Sequence, residues 1–231
     1  VLAVAAAFAL VCAAVVALRF GHPYELEWME GGMLAHVRRV LDGLPIYARP
    51  DLDFVSFLYP PLYYWAGAAA SLVFGEGFGA LRAVSVASTL GVCALFVRIA
   101  QRETGRAYGG LVAAGLFLAS YERSGAWLDL ARADAFYLFW LVLAIERLLA
   151  ARRPSAACFF LRSVAVVASP GFFVVLVAYR RRALAAALAA GIPIVAGTLL
   201  LEALHEGWFL YYTFTVPRAH PVEPPNVAGF W

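Results

Sequence analysis

Lysine is absent from the chain, and charged residues of every kind are scarce. Only 14% of the 231 residues are charged, whereas 64% are hydrophobic. Soluble globular domains are nearer half apolar and a quarter charged, so this composition excludes an ordinary soluble domain and predicts an all-α polytopic membrane protein. The basic residues, all 18 of them arginine, form no basic face with interleaved aromatic side chains, so nothing indicates nucleic-acid binding.

Cysteine and histidine are scarce too. The three cysteines (Cys12, Cys93 and Cys158) lie inside apolar runs, and neither they nor the four histidines have the spacing of a metal motif. Cysteines in such runs are expected to be small core residues. A metal site would therefore have to be built from carboxylates, and a divalent metal ion stays open as a cofactor.

Apolar runs recur along the chain. A helix needs about 20 residues to cross the hydrocarbon layer, and the first run, 1–18, is followed by runs at 82–99, 107–120, 135–150, 156–178 and 183–201. Clustered arginines mark cytoplasmic connections, and here they lie at 98–106, 152–153 and 180–182. The connections 19–81, 121–134 and 202–231 should then lie outside.

This orientation constrains the number of crossings. The run 156–178 has arginine clusters at both ends, so it must cross an even number of times, although its 23 residues are too few for two full spans. We predict a hairpin of short helices broken at Ser169-Pro170-Gly171. By the same parity, 59–74 should be a juxtamembrane or re-entrant helix. Two plain spans over 59–99 remain the alternative.

Residues 24–32, which we call the acidic lip, lie just past the first apolar run and contain Glu25, Glu27 and Glu30. Acidic side chains beside a hydrocarbon layer are costly and usually mark a functional site. Residues 33–41 place their apolar side chains on one helical stripe, which predicts an interfacial helix with His36 on its polar face.

A second acidic group, Asp129, Arg132 and Asp134, lies on the same predicted side. Two carboxylate clusters at one membrane surface suit a displacement reaction, in which one carboxylate accepts a proton from an incoming hydroxyl. Others can hold a metal ion or orient an arginine towards a phosphate, and Arg132 with Asp134 is the pair expected there. Alternatively, these acids are solvated loop residues, or Asp129 and Asp134 cap the next helix.

The last connection, 202–231, combines aromatic side chains with Arg218 and His220. Such a combination suits a sugar phosphate or prenyl chain that enters from the bilayer. The alternative is an ordinary aromatic belt at the membrane interface.

Four blocks in order, "EWMEGGMLAHVRRVLDGLPIY", "DFVSFLYPPLYYW", "GAWLDLARADAF" and "GWFLYYTFTVPRAHP", resemble bacterial members of the dolichyl-phosphate-mannose protein mannosyltransferase family. That family belongs to the GT-C membrane glycosyltransferases. The resemblance implies a GT-C-like module of about seven transmembrane helices over 1–201, with interfacial helices in a first outer loop, 19–81. It implies that 202–231 is an outer loop, truncated before further C-terminal spans, in a multi-pass protein of the bacterial inner membrane.

The resemblance also implies an inverting glycosyltransferase with a polyprenyl-phosphate sugar as donor. The hydroxyl of a lipid, glycan or protein acceptor would attack the anomeric carbon at the outer membrane face. Glu30 matches a family glutamate, but Met29 stands where the family has aspartate, so Glu27 is the second candidate base. Asp134 matches another acidic position.

The remaining matches concern substrate binding. Arg132 matches the arginine before the second acidic position, and Tyr59 matches an aromatic–proline block. Asp129, Arg218 and His220 complete the expected binding set. The family's usual Thr-Lys-Gln in the hairpin turn is missing, and Ser169-Pro170-Gly171 stands there instead.

The alternative function is a non-enzymatic transporter or assembly scaffold. A transporter should place polar or broken helices near the bilayer midplane, often with internal repeats. The apolar runs here are almost purely Ala, Leu, Val and Phe, and no repeat is visible. This pattern favours chemistry at one membrane surface.

Overall fold

The computed structural model describes residues 1–150 and 183–219, which form helices and no strand. The main helices are α1 (Leu2–Phe20), α2 (Met29–Leu41), α3 (Leu62–Phe74), α4 (Phe78–Thr104), α5 (Tyr108–Ala119), α6 (Ala133–Ala150) and α7 (Ala183–Leu204). A final segment is α-helical at Trp208–Leu210 and Val216–Arg218 and π-helical at Tyr211–Thr215. The all-α prediction is confirmed for these residues, whereas the predicted hairpin at 156–178 and His220 lie outside them.

Two of the described helices, α1 and α4, are long and apolar enough to cross a membrane. Most large side chains of α1, including Leu10, Val11 and Leu18, are exposed. Apolar surface of this kind is stable against lipid rather than water. The 13 residues of α3 span only about 20 Å, less than the ~30 Å of a hydrocarbon layer.

Glycines allow the helices around α4 to approach closely. A Cβ at Gly110 of α5 would lie 2.4 Å from the Val97 Cα atom of α4, and one at Gly115 would lie 2.3 Å from the Ala5 Cβ atom of α1. Small residues at helix contacts are the usual means by which membrane helices pack, because lipid gives no hydrophobic drive for helices to associate.

The amphipathic helix is longer than predicted, since α2 begins at Met29 rather than at residue 33. Its apolar stripe packs on α3 and on the final helical segment, in a cluster that includes Met33, Val37, Tyr64, Phe209 and Tyr212.

The assignment of His36 to the polar face of α2 is wrong, because its side chain is fully buried. Its ring stacks on Tyr64 with centroids 4.5 Å apart, and Nε2 accepts a hydrogen bond from the backbone N–H of Phe57 at 2.9 Å. Since Nε2 is the acceptor, Nδ1 carries the proton and donates to the Gly32 carbonyl oxygen at 2.7 Å.

The polar groups of the bundle gather at its two ends. Arg82 and Arg102 stand 20 residues apart on α4, about 30 Å along a helix axis, which equals the thickness of the hydrocarbon layer. Arg82 pairs with Glu30 of α2, whereas Arg102 pairs with Glu146 of α6. The acidic lip and the 120–132 connection therefore share the end marked by Arg82, which we call the lip end.

Candidate functional site

The site is built around an irregular stretch, residues 128–132, that is buried at the lip end; we call it the inserted loop. Thr89 donates a hydrogen bond to the Leu128 carbonyl at 2.6 Å, and Ser85 donates to the Arg132 carbonyl at 3.1 Å. The backbone N–H of Ala131 donates to Glu30 Oε1 at 2.7 Å. These bonds satisfy backbone groups that would otherwise be buried without partners, so the loop can lie against the helices.

Glu30 and Arg82 form a buried bidentate ion pair. Arg82 Nε lies 3.0 Å from Glu30 Oε1, and Arg82 Nη2 lies 2.7 Å from Oε2; the two side chains are 1% and 0% exposed. Oε2 also accepts the Leu26 backbone N–H at 2.7 Å. Arg82 further donates to four backbone carbonyls near the end of α1, those of Arg19, Phe20, His22 and Tyr24, at 2.6–3.4 Å.

The surroundings of Glu30 keep it ionised. Burial raises the pKa of its carboxyl, but the hydrogen bonds from Arg82, Ala131 and Leu26 and the Arg82 charge outweigh burial, so the pKa lies below its usual range. With four hydrogen bonds already accepted and no exposed surface, the carboxylate joins the lip, α4 and the inserted loop.

The second ion-pair cluster is more open. Arg132 Nε lies 2.9 Å from Asp134 Oδ2, and Arg132 Nη1 lies 3.1 Å from Glu27 Oε2. The Arg132 side chain is only 8% exposed, but those of Glu27 and Asp134 are 18% and 37% exposed. The Arg132 guanidinium also lies 4.2 Å from the centroid of the Trp127 ring. This cation–π contact helps to fix the orientation of the guanidinium group.

Tyr59 lies near this cluster. Its hydroxyl is 3.8 Å from Met29 Sδ, and its backbone carbonyl accepts a hydrogen bond from the Tyr47 hydroxyl at 2.5 Å. Burial, and then the negative charges of Asp134 and Glu27, raise the pKa of Tyr59 above its usual value, with Arg132 acting in the opposite sense. Its half-buried phenol is therefore a neutral hydrogen-bonding group beside the carboxylates.

Asp129 is buried and its carboxylate has partners. The Tyr121 hydroxyl donates to Oδ1 at 2.6 Å, and Arg19 Nη1 of α1 lies 3.4 Å from the same atom. Arg19 also donates to the Tyr121 hydroxyl. Burial, followed by the hydrogen bond to Asp129, raises the pKa of Tyr121. Asp129 thus joins the end of α1 to the inserted loop.

Arg218 is not part of the Arg132 cluster. It is exposed and makes no hydrogen bond or ion pair with any residue in 1–150 or 183–219. Its segment nevertheless belongs to the lip end, because Val216, two residues earlier, packs on the same apolar cluster as Met29 and Ala131.

The sequence prediction missed Arg82, Tyr121 and Trp127, although one signal for Arg82 was present. Arg82 is the only charged residue at the start of the apolar run 82–99. A lone charge beside hydrocarbon requires a buried partner of opposite sign, and Glu30 supplies it.

The carboxylates of this cluster face an arginine rather than one another. In the described part of the chain, no three side chains of His, Cys, Asp or Glu come together as a metal site would require. The two most open carboxylates, Glu27 and Asp134, both turn to Arg132, which already supplies a positive charge between them.

Comparisons with protein-family models, with curated proteins and with solved structures find no match to the chain. The chemistry of the site therefore has to follow from its own residues and their geometry.

Proposed function

We propose that this chain is an inverting membrane glycosyltransferase that moves a sugar from a polyprenyl-phosphate donor to a hydroxyl acceptor. The observation that carries the proposal is the Glu27–Arg132–Asp134 cluster, in which two partly exposed carboxylates from distant parts of the sequence meet on one arginine. The cluster lies at one end of a helical bundle. At that place a donor held in lipid and an acceptor that arrives from water can meet.

Glu27 or Asp134 is the proposed base. The acceptor oxygen bonds to the anomeric carbon as its proton passes to the carboxylate, and the bond from that carbon to the phosphate oxygen breaks, so prenyl phosphate leaves. Glu27 has one feature in its favour: its Oε2 atom accepts the backbone N–H of Met29 at 3.1 Å. Its carboxylate therefore lies beside Met29, the position at which the family resemblance implies an aspartate.

Arg132 is the proposed contact for the donor phosphate. Its Nε and Nη1 atoms bind the two carboxylates, and among the described residues its Nη2 atom has no hydrogen-bond partner. Guanidinium groups bind phosphate oxygens well because several N–H donors lie in one plane. We also assign Tyr59 and, from the last connection, Arg218 and His220 to substrate binding, and Asp129 to holding the inserted loop.

The proposed architecture is a multi-pass GT-C-like module of about seven spans, with the lip end outside a bacterial inner membrane. Support comes from the arginines at the far end of α4. Between Arg82 and Arg98, α4 contains no charged residue, which disfavours a transport path along it.

The test is sugar transfer from a radiolabelled polyprenyl-phosphate sugar in membranes that contain the protein. We expect Glu27→Gln or Asp134→Asn to lower the rate at least 100-fold, because general-base catalysis contributes about 10²–10⁴. Glu25→Gln is the matched control, since Glu25 is an exposed glutamate of the same lip. Undiminished transfer by the Glu27→Gln/Asp134→Asn double variant, at equal expression, would overturn the proposal.

A further inference from the structure

The end of the bundle opposite the lip contains a second buried carboxylate. The Glu146 side chain of α6 is 0% exposed, and its Oε1 atom lies 2.8 Å from Arg98 Nε and 2.7 Å from Arg102 Nη1 of α4. Arg147 Nε lies 3.2 Å from Oε2. Three guanidinium groups therefore converge on one carboxylate where α4 and α6 end.

One carboxylate does not neutralise this end. Its described charges are those of Arg98, Arg102, Arg106 and Arg147 against Glu103 and Glu146, so four positive charges minus two negative charges leave +2. Glu146 is buried, but the side chains of Arg98, Arg102 and Arg147 are 52%, 36% and 42% exposed. Arg98 contacts Glu146 through Nε alone and, within the described ranges, has no other partner.

Large apolar side chains are also exposed at this end of the bundle. Ile145 and Leu149 of α6 are exposed on either side of Glu146 and Arg147, and Tyr108 and Leu111 are exposed at the start of α5. A free inorganic anion would bind the arginines but leave the apolar side chains exposed. A phospholipid would bind the arginines and cover the apolar side chains, because its phosphate accepts guanidinium N–H groups while its acyl chains contact the apolar surface.

We propose that the Arg98–Arg102–Arg147 group binds the head group of an anionic phospholipid in the leaflet at this end. Basic pockets between membrane helices are suited to such head groups, since a nearby arginine attracts an anionic leaflet. This inference relies on the membrane part of the proposed function and not on glycosyl transfer. The two proposals concern opposite ends of the bundle, so either can fail alone.

The test is native mass spectrometry of the detergent-purified protein with dioleoyl phosphatidylglycerol, dioleoyl phosphatidylcholine or sn-glycerol 1-phosphate. We expect phosphatidylglycerol to be retained at least fivefold more than phosphatidylcholine, and glycerol phosphate not to be retained. Arg98→Gln should lower retention of phosphatidylglycerol about fivefold, the effect expected for the loss of one surface cation. Arg123→Gln, which removes an equal charge from the lip end, should change nothing.

Each variant leaves Glu146 with partners. Arg98→Gln retains Arg102 and Arg147, and a second variant, Arg147→Gln, retains Arg98 and Arg102, so the ion pair that joins α4 and α6 persists in both. Unchanged melting temperatures in detergent confirm that both variants are folded. Equal retention of the two lipids, strong retention of glycerol phosphate alone, or equal losses in Arg98→Gln and Arg123→Gln would each overturn the proposal.

Discussion

Glu30 and Glu27 stand three residues apart but should respond differently to loss of charge. Glu30→Gln leaves the buried Arg82 guanidinium without its counter-ion, and we expect it to lower the free energy of unfolding by about 3–5 kcal/mol. Glu27→Gln leaves Arg132 paired with Asp134, so a loss of about 1 kcal/mol or less is expected. Denaturation of the purified variants in detergent measures both values, with Glu25→Gln as control. Equal losses for Glu27 and Glu30 would contradict the positioning role of Glu30.

His36 should make the protein sensitive to mild acid. Burial first, and then the charge of Arg39, lower the pKa of His36 from 6.5 to about 4. A group whose pKa is lower in the folded state favours folding above its unfolded pKa, and that contribution is lost as the pH falls towards the folded pKa. Between pH 7 and pH 4, His36 should therefore remove roughly 3 kcal/mol of stability.

Unfolding measured across that pH range tests the His36 prediction. His36→Gln should flatten the pH dependence between 6.5 and 4, whereas replacement of the exposed His22 by Gln should leave it unchanged. A wild-type stability that stays constant down to pH 4 would show that His36 is not held neutral. Glu30, whose pKa is also lowered, adds its own loss only at lower pH, below its unfolded value near 4.5.

Single-residue surroundings were the part that the sequence predicted least well. His36 has the helical register of the polar positions of α2. Its burial is explained by Tyr64 of α3 and by the 54–57 stretch, which together cover its ring. The burial of Glu30 could not be predicted from the sequence either. Its hydrogen-bond donors belong to residues 26, 82 and 131, and these positions are too far apart in the sequence for a helical or strand periodicity to relate them.

At the scale of helices, the close packing of α5 on α4 should require Gly110 but not the neighbouring Gly109. In Gly110→Ala, the added Cβ would lie 2.4 Å from Val97 Cα and 2.6 Å from the Phe96 carbonyl oxygen, backbone atoms that cannot move aside. We expect a loss of about 1–3 kcal/mol from this overpacking. Gly109→Ala is the matched control because its nearest heavy atom is 4.0 Å away, so it should gain up to about 1 kcal/mol in helix propensity.

The comparison of these two variants requires only thermal melting in one detergent. A stability loss at Gly110 together with a gain or no change at Gly109 supports the close approach of α4 and α5. Equal effects at the two positions would mean that the helices lie farther apart than the structure shows.

Helices as elements were predicted well, because apolar runs are a local property. The runs 107–120 and 135–150 correspond closely to α5 and α6, and the run 82–99 lies within α4. The inserted loop was predicted only as part of a connection, 121–134. Its burial depends on Thr89 and Ser85, and side chains of a different helix leave no trace in the loop's own composition.

At the scale of the molecule, the same-side prediction for the lip and the 121–134 connection followed from counting arginines, and the structure does bring Glu27, Glu30, Arg132 and Asp134 to one end. The ion pairs of Glu146 at the other end could not be foreseen in the same way. They depend on the relative rotation of α4 and α6, and helical periodicity within either sequence does not determine that rotation.

The two polar ends of α4 should lie on opposite sides of the membrane. Glu122→Cys introduces a thiol at the lip end and Arg106→Cys introduces one at the other end, and both positions are exposed in loops. In intact spheroplasts, a membrane-impermeant maleimide should label only Glu122→Cys, whereas permeabilised cells should label both. The unmodified protein is the control, because it measures any labelling of the native cysteines Cys12, Cys93 and Cys158. Labelling of both positions from outside would contradict a membrane-spanning α4, and labelling of position 106 alone would place the acidic cluster inside the cell, away from the face at which we propose sugar transfer.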